Sequence, residues 1–173
     1  MTSTRGGAAL LIGFALLAGC ATVPRSAPDL SGRLALRIEA HQGAAARVVS
    51  VQFELRGDAQ AGDLQLTTPL GGVAAQAHWQ PGAAALITSD GTRRFADLDS
   101  LAEELLGQPL PLAALIDWLR GRPWAGAAST SRDGGFDQLG WRIDLSRIAD
   151  GWVMASRDSA PALTVRARLE PPA

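Results

Sequence analysis

The chain has 173 residues and a formal net charge of −1, with acidic and basic residues mixed along its length and no basic run, which argues against nucleic acid as a partner. Its basic residues other than two histidines are all arginine, and it has one cysteine, so a lysine nucleophile, a Schiff base and an intrachain disulfide are excluded. The first element in chain order is a secretory signal. Arg5 precedes an apolar run from Ala8 to Ala18, and small residues lead to Cys20. That run is shorter than the roughly 20 apolar residues a membrane-spanning helix needs.

Leu17-Ala18-Gly19-Cys20 resembles the lipobox of bacterial lipoproteins. The resemblance implies a diacylglyceryl group on the Cys20 sulfur, removal of residues 1–19 and acylation of the new amine; an ordinary cleaved signal is the alternative. Ala21 follows where enteric lipoproteins held at the inner membrane carry an aspartate, so the resemblance points to the outer membrane. On that resemblance residues 20–30 would be a lipidated start and tether, with Pro24 and Pro28. Residues 31–173 are enough for one domain that buries roughly two thirds of its surface.

The domain opens with period-two alternation, the pattern of strands with one wet and one dry face. It runs through Leu34–Glu39, Val49–Leu55, Asp63–Thr67, Val73–Trp79 and Ala84–Thr88. Turns fall at Gly57–Gly62, Thr68–Gly72 and Pro81-Gly82, and Asp90-Gly91 is a hairpin signal. The period then changes. Ser100 and Glu103 have the spacing of a capping box, opening a helix that ends at Gly107. Pro111 suits a first turn, and Leu112, Leu115, Ile116 and Leu119 share a second helical face. A Gln108–Pro111 elbow joins the two helices. After a loop over Gly126–Gly135, strands return at Leu139–Ser146, Trp152–Ser156 and Leu163–Leu169. At least eight strands with a helical pair between the fifth and sixth make a mainly β fold with some α. The expected form is one strongly curved antiparallel sheet, open or closed into a barrel, with helices across its concave mouth.

Chemistry-bearing patterns do not emerge. His41 lies near a turn and His78 on the polar face of a strand, and neither has metal-ligand spacing, so no metal, no cofactor and no enzyme activity are expected. Glu103-Glu104 and Asp97 with Asp99 read as helix-start charges rather than acid–base pairs. No nucleophile elbow or phosphate loop is present. What remains is apolar. Val51, Phe53, Leu55, Leu64, Leu66, Trp79, Leu86, Leu115, Trp118 and Trp141 are expected either to pack a solid core or to line a cavity. Leu70, between Pro69 and Gly71, either folds back over the sheet edge or stands exposed.

Pro69-Leu70-Gly71, Gly107–Leu112, Asp117–Gly121 and Phe136–Trp141 occur in an order and spacing that resemble the LolB family of outer-membrane lipoproteins. The resemblance runs from about Gly32 to about Leu169. It departs at Leu55, where members often carry tryptophan, and the position stays apolar. It implies an incomplete barrel under a helical lid, with an apolar cavity for acyl chains. It also implies clients received from the periplasmic carrier LolA without nucleotide hydrolysis and passed to the inner leaflet of the outer membrane. Pro69, Leu70 and Gly71 would be the membrane-touching loop. A monomer anchored on the periplasmic face is expected. A structural outer-membrane lipoprotein with a solid core is the second reading; a cavity separates the two.

Overall fold

The computed structural model describes residues 28–107 and 109–171; the expected signal, Cys20 and most of the expected tether lie outside them. The first six strands are β1 (Leu30–Ile38), β2 (Arg47–Gly57), β3 (Gly62–Thr67), β4 (Val73–Gln80), β5 (Ala83–Thr88) and β6 (Gly91–Phe95). Helices α1 (Leu98–Leu106) and α2 (Leu112–Leu119) follow. The chain ends with β7 (Ser129–Arg132), β8 (Gly135–Gln138), β9 (Trp141–Asp144), β10 (Trp152–Arg157) and β11 (Leu163–Leu169).

All eleven strands form one antiparallel sheet in the order β6-β5-β4-β3-β2-β1-β11-β10-β9-β8-β7. Neighbours are sequential hairpins except where β11 returns to pair with β1 along Gly32–Ile38. The sheet does not close, because β6 and β7 are both free edges. The two helices lie between these edges in sequence, and α1 packs against β5 and β6.

The structure adds three strands to the sequence expectation. The Asp90-Gly91 hairpin leads into β6, the expected Gly126–Gly135 loop contains β7, and β8 follows it as the second strand of a further hairpin. The expected Leu139–Ser146 strand is cut short. Gln138 pairs with Trp141, leaving a two-residue turn in which Leu139 and Gly140 both have positive φ (53° and 77°). Leu139 is consequently half exposed rather than in the apolar row. The helix start also moves. Asp97, not Ser100, caps α1, its carboxylate accepting from the Ser100 amide at 2.8 Å. A carboxylate suits the positive end of a helix better than a hydroxyl does. Gly107 closes α1 in the left-handed conformation, as expected.

The interior divides into two unlike halves. Under α2, Trp118 and Trp141 are fully buried with ring centroids 5.9 Å apart, backed by Phe136 and Ile143. Gln138 is buried among them with both ends satisfied. Its Oε1 accepts from Trp118 Nε1 (2.8 Å) and the Trp124 amide (2.9 Å), and its Nε2 donates to the Trp124 and Ala127 carbonyls (both 2.7 Å). The opposite half is floored in part by small residues, Ala75 and Ala77 of β4. Small side chains there cannot reach the helices, and a space remains.

Candidate functional site

That space is a cleft of about 240 Å³ between the concave face of β1–β5 and the two helices. Strand alternation sends every second side chain into it. From β2 these are Arg47 and Val49 and the expected Val51, Phe53 and Leu55; from β3, Leu64 and Leu66. Trp79 of β4, Leu86 of β5 and Leu115 of α2 complete the expected residues that reach it. Trp118 and Trp141 do not line the cleft. They pack against each other in the other half, both fully buried. The contribution of α1 was missed: Leu98, Leu101 and Leu105 also face the cleft. Their i, i+3, i+7 spacing marks one helical face and could have been read, had the helix start been placed at Asp97.

Apart from Arg47, every residue lining the cleft is apolar. Arg47 stands at the rim, and its guanidinium reaches the end of α1, where a Cβ on Gly107 would lie 3.6 Å from Nη2. The carbonyl end of a helix favours a cation. Trp79 is held by a hydrogen bond from Nε1 to the Asp58 carbonyl (2.7 Å). Its ring passes so close to Gly62 that a Cβ there would meet it at 2.7 Å.

The exposed lining residues Arg47, Val49, Ala74 and Leu105 mark where the cleft opens, and the sheet register shows which connections stand at that end. Ile38 pairs with Arg47, Gln52 with Thr67, Thr88 with Gly91 and Arg157 with Leu163. The β1–β2, β3–β4, β5–β6 and β10–β11 connections therefore share one end of the sheet, beside the end of α1. The β3–β4 loop is tied only at its base. The Thr68 amide donates to the Gly72 carbonyl (2.8 Å), the Gly71 amide to the Thr68 carbonyl (2.9 Å) and the Gly72 amide to Thr68 Oγ1 (3.2 Å). These bonds leave Pro69 exposed at the tip and Leu70 with 98% of its surface in solvent; Gly71 supplies the required positive φ (89°).

The lid is held by polar contacts at several points. Glu104 pairs with Arg93 of β6. Arg120, at the end of α2, donates to the Gly57 carbonyl at 2.5 Å. Arg157 of β10 lies 5.4 Å over the Trp141 ring and donates to the Pro109 carbonyl in the elbow at 3.4 Å. Hydrogen bonds from the Ser100 hydroxyl and amide hold the Asp97 carboxyl below the usual range. Partial desolvation and then the Asp97 charge push the Asp99 carboxyl up, while the Leu112 and Ala113 amides at the start of α2 pull it down. His41 lies in a turn closed by a bridge to Ala44, and His78 is exposed on β4. Among the described residues no group of three or more His, Cys, Asp or Glu could hold a metal, and no helix is long and apolar enough to cross a membrane.

A family model described as "Outer membrane lipoprotein LolB" matches residues 27–167. An outer-membrane lipoprotein LolB of Bordetella petrii is 38% identical over 91% of this chain and 82% of its own length. That of Bordetella pertussis is 36% identical over 94% and 84%. The Chromobacterium violaceum protein of the same name is 34% identical over 82% and 83%. The chain belongs to the LolB family.

Proposed function

We propose that this member of the LolB family receives lipoproteins from a periplasmic carrier of the LolA type, holds their acyl chains in the cleft and releases them into the inner leaflet of the outer membrane. The observation that carries this reading is a cleft whose lining is apolar except for one rim arginine, opening beside an exposed leucine. An apolar leucine in water has no folding benefit, whereas at a bilayer it gains from burial. Cys20 would carry the anchor; two or three acyl chains hold a protein stably at a surface where one does not. The domain would then work on the periplasmic face as a monomer.

Such transfer requires no nucleotide hydrolysis. Acyl chains move toward whichever site buries them better. A tenfold advantage over the carrier takes about 1.4 kcal/mol, close to the burial of two methylenes. A slightly drier or larger cleft supplies that much.

The test is transfer of a radiolabelled lipoprotein from its carrier complex to the soluble domain made without Cys20, with no ATP present. Label is expected to move to the domain. Retention by the carrier, with the domain shown to be folded, would favour the structural reading over the receptor.

A further inference from the structure

β2 is longer than the strand beside it. It pairs with β1 from Arg47 to Leu55, but its pairing with β3 begins only at Gln52. Among the described residues, the stretch before Gln52 is therefore a free sheet edge in the middle of an otherwise continuous sheet. The direction of its backbone groups follows from the ladder. The Glu39 amide bonds to the Ala162 carbonyl and the Glu170 amide to the Ser31 carbonyl, so odd-numbered residues of β1 face β11. Even-numbered residues of β1 then face β2, and their partners in β2 are odd-numbered. Val48 and Ser50 consequently direct their N–H and C=O groups away from β1, into the gap above Thr67.

This edge carries none of the usual guards. Val48-Val49-Ser50-Val51 has no proline, charge or glycine and is rich in strand-favouring residues. Val48, Val49 and Ser50 are exposed. The edge is continuous with the cleft, because Val49 and Val51 line it while Val48 and Ser50 do not. Leu30, near the start of the described residues, pairs with Leu55, roughly 23 Å down β2 from Val48 at strand spacing.

We propose that the free edge of β2 at Val48–Val51 binds, by strand addition, the extended polypeptide that follows a client's acylated residue. This rests on the acyl-binding reading, and it assigns the client's protein part a place outside the cleft. Backbone pairing reads no side chains. One edge could thus serve clients of unrelated sequence, all of which reach the cleft rim as an extended segment behind the lipid.

Two probes separate the readings: a triacylated cysteine carrying a polar peptide, and the same triacylated cysteine with no peptide. Loading is followed by co-elution with the protein, and the edge by amide exchange at Val48 and Ser50. Both probes are expected to co-elute, with exchange at the two amides slowed about tenfold or more by the peptide-bearing probe alone. Ser50→Pro removes a donor on the free side without touching the β1 ladder. It should lower retention of the peptide-bearing probe to that of the bare lipid. Co-elution of both probes with unchanged exchange at Val48 and Ser50 overturns the proposal while the acyl-binding reading stands. Failure of both probes to co-elute overturns both. Protection that grows with protein concentration and no probe assigns the edge to a second copy, and also overturns it.

Discussion

Leu70 packs against nothing, since the hydrogen bonds of its loop all lie at the base. Leu70→Glu should therefore change stability by no more than about 0.5 kcal/mol. At a membrane the same change places a charge where burial is required, so release of a loaded client into vesicles should stop while loading continues. Normal release by a loaded L70E protein would remove the loop from the mechanism. Gln138 is the opposite case: one buried amide makes four hydrogen bonds and joins α2, the Trp124 loop and β8. Gln138→Ala orphans all four partners. With each unsatisfied buried group costing about 1–3 kcal/mol, less what water recovers, a loss of about 3 kcal/mol is expected. Denaturant midpoints measure it, and a loss below about 1 kcal/mol would mean that water reaches the site freely. Because Gln138 lies in the solid half, acyl loading by the protein that remains folded should be unaffected.

At the level of elements, the start of α1 depends on Asp97. Asp97→Ala should cost about 1 kcal/mol, and Asp97→Asn much less, since the amide oxygen still accepts from Ser100. The folded-state carboxyl is held below its ordinary 3.8, so its contribution is present above that value and lost as pH falls through the lowered one. Asp99 is raised, so its contribution runs the other way, full in acid and lost as pH rises through its raised value. Amide exchange in α1 should accelerate as pH falls below the usual carboxylate range, after correction for intrinsic rates, and this dependence should be weaker in D97N. An identical pH profile in D97N would place the cap's energy elsewhere. The elements legible in the sequence are those with one wet and one dry face: Leu163–Leu169 was expected with the bounds it has. β6 and β7 were not legible because they lack that contrast. All four residues of β7 and the first four of β6 are exposed, and each strand is held by the ladder to its hairpin partner rather than by burial. Alternation also cannot separate cleft from core. Phe53 and Trp141 are equally dry, and what distinguishes them is the size of the residues facing them: alanines near one, Trp118 near the other.

Across the whole molecule, an eleven-stranded sheet with two free edges leaves a gap that the helices bridge. The sheet is held by continuous ladders from β6 to β7, so its shape is costly to change. The helices rest on side-chain contacts and a few polar ties, which makes them the part able to yield. They must yield if the proposed function is right, because about 240 Å³ is below the roughly 300–1,000 Å³ of sites that enclose a small-molecule ligand, and a client brings more than one acyl chain. Amide exchange across residues 98–121 should therefore change when a triacylated peptide is loaded, while β9–β11 stay as they were. The elbow offers a way to test the direction of the change. Arg157 ties Pro109 to the solid half through the elbow carbonyl and the Trp141 ring. Arg157→Ala removes both, at a stability cost of about 1 kcal/mol, and should speed exchange at 109–115 in the unloaded protein and shorten loading time. If loading is confirmed yet exchange over 98–121 is identical with and without ligand, the lid is fixed. Acyl chains would then have to enter through the open rim between Arg47 and the Leu70 loop, and only as many as the existing cleft holds.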